Sequence, residues 1–243
     1  MNLQCILELI HAVSKKMIQT HDVYSPVQVS VDTVVLTLRD GALHLLLVRR
    51  AHAPFEGVWA LPGGYIHAQE DVDAQDSAAR VLRDKVGITG AYLEQLATFS
   101  GPGRDPRGWS VAIAYCALLP AERLENLGSD VRLVPVDALP ALPFDHGEMV
   151  SAALARVRSK SLYSSLPVHL CGSTFTLPQL QQVYEYVLGE SLNKVSFRRK
   201  MEELQLLEPV EGALHTGGAH RPAQLYRVRK PFLQTLALST RGL

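Results

Sequence analysis

Residues 61–88 read LPGGYIHAQEDVDAQDSAARVLRDKVGI. The first half, rich in Pro, Gly and an aromatic, predicts a loop and a short strand. The second half predicts a helix that starts near Asp73, with acids in its first turn, and stops at Gly87, where a left-handed residue suits a helix end. Side chains three and four positions apart share one helix surface. Val81, Asp84 and Lys85 therefore present themselves together.

Upstream, VQVSVDTVVLTLRDGALHLLLVRR at 27–50 places Arg39-Asp40-Gly41 between two β-branched and Leu-rich runs, which predicts a β-hairpin. Downstream, YLEQLATF at 92–99 and SVAIAYCALL at 110–119 read as strands separated by the polar loop SGPGRDPRGW. VRLVPVDAL then precedes PFDHGEMVSAALARVRSK, where Met149, Ala152, Ala153 and Val157 follow a helical period. Alternating strands and helices through about residue 160 make the first domain α/β. SLYSSLPVHLCGS suits neither a helix nor a central strand and reads as a boundary. The division expected is an extension at 1–24, a domain at 25–160 and a second domain at 161–243.

The second domain opens with Thr176 as a helix cap and Pro178 in the first turn, followed by Leu180, Val183, Tyr184 and Leu188 at helical spacing before Gly189. A second helix fits Lys194 to Leu204. LLEPVEGALHTGGAHRPAQLYRVRK follows, so the order is helix, turn, helix and β-wing. This makes double-stranded DNA the expected partner. Thr176 and, on or beside the second helix, Lys194, Ser196, Arg198, Arg199 and Lys200 are its candidate contacts, with His215, His220 and Arg221 around the wing's tip. His146 is read as packing or capping at the start of its helix.

Charge supports a local rather than a global basic surface. The chain balances 24 basic against 24 acidic residues; residues 1–164 hold 15 and 18, residues 165–243 hold 9 and 6. The latter contain no Asp, and RRK and RVRK cluster their cations. Cys5, Cys116 and Cys171 are odd in number and widely spaced, which fits a reduced, cytoplasmic compartment. No apolar run approaches membrane-spanning length, and MNLQCILELIHAVSKKMIQT lacks a basic leader and a small-residue cleavage site. Its amphipathic period suits a packing or dimer helix, or an extension ahead of a true start at Met17.

The opening stretch resembles the Nudix box, G-x5-E-x7-R-E-U-x-E-E-x-G-U with U aliphatic. Gly64 and Glu70 match its first half; Arg80, Leu82, Gly87 and Ile88 match its second. Nine residues rather than seven separate Glu70 from Arg80, and the three box carboxylates after Arg80 are replaced by Val81, Asp84 and Lys85. Magnesium requires several oxygen ligands in tight octahedral geometry, so no metal cluster, no catalytic set and no cofactor are expected. Lys85 then serves either as the countercharge to a bound diphosphate or as a solvated cation near a helix C-terminus. Arg49, Arg50, Arg104 and Arg107, with Asp105, suit phosphate recognition, and Phe55, Tyr65 or Trp109 suit stacking on a base. Gly64 and Glu70 complete the expected ligand site.

RDPRGW, with PFEGVWALPGG upstream and PFDHGEM downstream, is similar to Nudix proteins that handle ADP-ribose and to their non-hydrolysing relatives. A degenerate box followed by FTLPQLQQVYEYVLG, NKVSFRRK and GGAHRPAQLYRV resembles the NrtR family, Nudix-related transcriptional regulators of NAD biosynthesis. The resemblance covers about residues 25–230. It implies a Nudix-like α/β/α sandwich followed by a winged helix-turn-helix, and a homodimeric repressor of NAD-related genes with ADP-ribose or a related nucleotide as effector and a palindromic operator. The alternatives are an active ADP-ribose pyrophosphohydrolase using Glu70 and Asp84, and a nucleotide-binding module that contacts protein.

Overall fold

A computed structural model describes residues 27–215 and 222–239. The reading of residues 1–24 as an extension, and the expectations for His220 and Arg221, lie outside the described residues. Strands β1 (Gln28–Arg39) and β2 (Ala42–Arg49) form the expected hairpin, closed by Asp40 and Gly41, both at positive φ. β3 (Trp59–Ala60), β4 (Gly63–Tyr65), β5 (Tyr92–Gly101), β6 (Ser110–Leu118) and β7 (Val131–Pro135) complete a seven-stranded mixed sheet. Its central order is β3-β2-β1-β6-β5, with β4 on β1 and β7 on β2; β1 and β6 run parallel, which requires a crossover.

Helix α1 (Ala74–Val86) covers one face of this sheet and α2 (His146–Ser161) the other. The period of two along β1 decides which residue faces which helix. Val34 and Leu36 join Met149, Val150, Ala153 and Val157 of α2. Val31 packs with Ala78 and Val81 of α1, and Val35 with Leu82. Both faces being covered explains the nearly unbroken apolar run in β1, as expected of a buried strand.

α1 has the predicted ends. The Asp73 side chain accepts the Asp76 N–H at 2.8 Å, and Gly87 takes φ 70°, its N–H returning to the helix carbonyls. In the C-terminal region β8 (Phe175–Thr176) leads into α3 (Leu177–Leu188), a short turn, α4 (Lys194–Leu204), and the strands β9 (Leu207–His215) and β10 (Ala223–Val228), in sheet order β8-β10-β9. Val168, Phe175, Leu180, Tyr184, Phe197, Met201, Leu204 and Leu206 form its core. SLYSSLPVHLCGS contains a short 3-10 turn (Leu166–Leu170) that is mostly buried, and Ser165 exchanges backbone and side-chain hydrogen bonds with Ala237. That segment is thus a packed connector.

Candidate functional site

One cavity, of about 260 Å³, opens where β1, β4, the start of α2 and the loops after β2 and β5 meet. Asp32, Arg50, Gly63, Gly64, Tyr65, Lys85, Arg104, Asp105, Arg107, Phe144 and His146 are among its walls. The hairpin places Arg50 at its rim, the β5–β6 loop brings Arg104, Asp105 and Arg107, and α1 reaches it with Lys85 near its C-terminal end.

The box positions have separate fates. Val81 is 2% exposed and belongs to the α1 core; a side chain at residue 64 would meet its Cγ2 at 2.9 Å, so Gly64 fits the space left by Val81. Asp84 lies outward and pairs with Arg83 at 2.8 Å. Lys85 turns inward, its ammonium donating to the Gly63 carbonyl. Burial lowers the Lys85 pKa; the Asp32 carboxylate opposes that shift and the Arg50 charge adds to it. Among the described residues, no three His, Cys, Asp or Glu side chains converge to hold a metal ion.

The cations of the pocket differ in how they are paired. Arg104 is bidentate to Asp145 at 2.8 and 2.9 Å and also donates to Ser110. Arg107 is bidentate to Asp105, donates to the Tyr65 hydroxyl and lies over its ring at 5.4 Å. These hydrogen bonds hold the Asp105 carboxyl below its ordinary range and raise Arg107. Arg50 and Lys85, by contrast, have no carboxylate partner among the described residues. Arg50 donates to the carbonyls of Pro54 at 2.8 Å and His52 at 3.3 Å and lies over Phe144 at 4.9 Å. Burial and the neighbouring Arg107 charge lower its pKa. Two cations held only by neutral groups, Arg50 half-buried and Lys85 reaching in from an exposed position, are a ready anion site.

Four of the eleven expected ligand residues fall outside the cavity walls, Trp109 among them as an exposed ring. Arg49 is exposed and donates to Gly57 O at 3.4 Å, because the strand alternates and only Arg50 turns to the pocket. Phe55 packs edge-on against Phe144 at 4.9 Å and so supports a wall. Glu70 is exposed and bonds His67 at 3.1 Å, while its neighbour Asp71 is the residue paired with Arg80. The two extra residues in the box spacing are absorbed in this loop. Sequence reasoning missed Asp32 and gave His146 only a packing or capping role. Both are buried; His146 Nδ1 accepts the Leu61 N–H at 3.1 Å, leaving Nε2–H directed at Asp32 Oδ1, 3.5 Å away. A single Asp within an apolar strand was the available signal.

In the C-terminal unit, Asn193 caps α4 by accepting the N–H groups of Val195 and Ser196, both at 3.0 Å. Lys194, Ser196, Arg198 and Arg199 lie on its exposed side, and the three cations have no acidic partner among the described residues. His215 ends β9 opposite Ala223. Two expected contacts are corrected. Thr176 is 3% exposed and fully occupied in a capping box with Gln179. Lys200 is 5% exposed and donates to the Leu162 carbonyl at 2.6 Å. It sits three residues after Phe197, on the face that Met201 and Leu204 bury.

The NUDIX domain model matches residues 27–153, and that of the NrtR DNA-binding winged helix domain residues 167–228. Over 214 residues the chain is 37% identical to the ADPR responsive transcriptional repressor NtrR of Acinetobacter baylyi, covering 86% of this chain and 84% of that one. The chain belongs to the NrtR family. Its architecture is a Nudix-like α/β fold followed by a winged helix. Shewanella oneidensis NrtR complexed with a 27mer DNA superposes with a TM-score of 0.81 at 36% identity, covering 88% of this chain and 99% of that one. The NUDIX domain of the same NrtR complexed with ADP ribose gives 0.50 at 34% identity, covering 58% and 97%. In these NrtR terms, the cavity belongs to the Nudix unit and α4 to the winged helix.

Proposed function

We propose that this chain is a ligand-responsive transcriptional repressor of NAD-metabolism genes that binds ADP-ribose or a closely related nucleotide without hydrolysing it. The single observation that carries the reading is the inward ammonium of Lys85, beside Arg50 and above a buried Val81. That arrangement attracts a diphosphate and repels the cations needed to cut it. Arg107 and Tyr65 form an adjoining wall suited to the rest of the nucleotide. The similarity to an ADPR responsive repressor and to a DNA-bound NrtR supports both halves.

Two copies present their α4 helices to the half-sites of a palindromic operator, with Lys194, Arg198 and Arg199 neutralising phosphates or reading base edges. The unit boundary lies at the end of α2, and the site of action is the cytoplasm. No helix among the described residues is long and apolar enough to cross a membrane. Effector control requires unequal affinity of the ligand for the DNA-competent and DNA-incompetent states.

The test combines a DNA-binding assay, using duplex from upstream of the chain's own gene with and without ADP-ribose, and chromatography of ADP-ribose incubated with the protein and magnesium. A shifted duplex whose affinity responds to intact ADP-ribose is expected. Rapid release of AMP overturns the non-hydrolytic reading, and failure to bind the duplex overturns the repressor reading.

A further inference from the structure

Helix α2 touches both functional regions. Its N-cap, Asp145, holds Arg104 of the pocket, and its first residue, His146, lines the pocket. Its 16 residues span about 24 Å. At the far end two hydrogen bonds arrive from the helix-turn-helix: Lys200 Nζ of α4 donates to Leu162 O at 2.6 Å, and Tyr184 OH of α3 donates to Ser164 O at 3.0 Å. The last turns of α2 are themselves clamped to the sheet, since Glu94 of β5 accepts from Arg156 at 2.9 Å and Lys160 at 2.7 Å.

A buried ammonium is costly unless it is bonded. Among the described residues Lys200 has no carboxylate within ion-pair distance; its partner is the carbonyl at the C-cap of α2, where the helix dipole is negative. A cation meant for phosphate would lie on the outer face with Arg198 and Arg199. Lys200 lies on the inner face, against the C-terminal end of α2, the helix whose first residue lines the pocket.

We propose that Lys200 is a positioning residue that ties the recognition helix α4 to the C-terminal end of α2, making α2 the link through which occupancy of the pocket sets the orientation of the DNA-reading face. This rests on the repressor reading above. A ligand that draws on Arg104 or His146 acts on the first turn of α2. A packed helix shifts as a unit rather than bending, so the movement arrives at Leu162 and passes through Lys200 to α4. Tyr184 supplies a second tie to the same segment.

Operator affinity of the full chain is measured over a range of salt, with and without ADP-ribose, for the wild type, Lys200→Met, Tyr184→Phe and Arg198→Ala, using duplex from upstream of its own gene. Arg198→Ala is expected to flatten the slope of log affinity against log salt by about 0.9, the loss of one phosphate contact. Lys200→Met is expected to keep the wild-type slope while the ADP-ribose effect on operator affinity shrinks at least about threefold, a readout that follows from lost linkage. Tyr184→Phe, which removes one hydroxyl and leaves the ring in the core, is expected to reduce the response in the same direction. A flattened slope in Lys200→Met makes it a phosphate contact and overturns the proposal. So does an undiminished ADP-ribose response in Tyr184→Phe, which decides the matter alone if Lys200→Met does not fold. A wild type that binds neither duplex nor ADP-ribose overturns the repressor reading itself, an outcome distinct from both.

Discussion

Arg80 grips Asp71 with two hydrogen bonds, from Nε at 2.6 Å and Nη2 at 2.8 Å, and so closes the loop ahead of α1 onto the helix itself. Arg80 also donates to Tyr65 O, which connects this clasp to the pocket wall. The hydrogen bonds from Arg80 hold the Asp71 carboxyl well below the usual carboxylate range. Asp71→Asn is therefore expected to lower the melting temperature by several degrees at neutral pH, while Glu70→Gln leaves it unchanged. Because the folded carboxyl is the more acidic, its contribution is present above the unfolded value of about 4 and fades as pH falls below it. The gap between Asp71→Asn and wild type thus narrows in acid. Equal effects from the two substitutions would restore Glu70 as the partner of Arg80.

This clasp shows where sequence reading stopped. The ends of α1 were legible because Asp73 and Gly87 act locally, through a cap and a left-handed stop. The Thr176 cap of α3 is legible for the same reason, while the reciprocal bond from Gln179 that completes the capping box is seen only in the structure. Choosing between Glu70 and Asp71 required the path of a two-residue insertion, which no local rule fixes. Arg49 and Arg50 were indistinguishable until the register of β2 was known. Lys200 shares the RRK run with Arg198 and Arg199 but not their face of the helix. Its spacing from Phe197, Met201 and Leu204 already put it on the buried side, with nothing in the chain nearby to name Leu162 O as its acceptor.

His169 stacks on Tyr92 with ring centroids 4.6 Å apart and planes 12° from parallel, and its buried Nε2 has no hydrogen-bond partner among the described residues. Burial lowers its pKa to about 4. The unfolded chain then binds a proton that the folded chain refuses between about pH 6.5 and pH 4, so stability falls as pH drops through that window, by up to about 3 kcal/mol. His169→Phe keeps a ring against Tyr92 and removes the titration. Melting temperatures taken from pH 7 to pH 4.5 are expected to decline less in the variant. Parallel curves would show that His169 accepts its proton without leaving the stack.

Lys85 and Arg50 lead to a prediction about metal. If their charges supply what magnesium supplies elsewhere, calorimetric binding of ADP-ribose is expected to be the same in magnesium and in chelator. Lys85→Glu replaces an ammonium with a carboxylate near Asp32, so a loss of affinity of more than about tenfold is expected, equivalent to about 1.4 kcal/mol. Arg50→Ala is expected to weaken binding in the same range, since a guanidinium held only by carbonyls is available to an anion. Unchanged affinity in Lys85→Glu would return Lys85 to the role of a solvated helix-end cation.

Asp32 and Gly63 are direct partners in the β1–β4 ladder, and a Cβ at residue 63 would lie 1.9 Å from Asp32 Oδ1. Gly63 is required here by space, since the Asp32 carboxylate occupies the volume a side chain would need. Gly63→Ala must push that carboxylate from its place beside His146, at a cost of about 1–3 kcal/mol for overpacking. ADP-ribose affinity is expected to fall with it, because Asp32 and His146 share the floor of the cavity. Asp32→Ala removes the obstruction. The double variant, measured by urea unfolding, should therefore be more stable than the sum of the single changes predicts, by more than about 0.5 kcal/mol. Strict additivity would mean that Asp32 turns away freely, and the close packing between β1 and β4 would then place no constraint on the pocket.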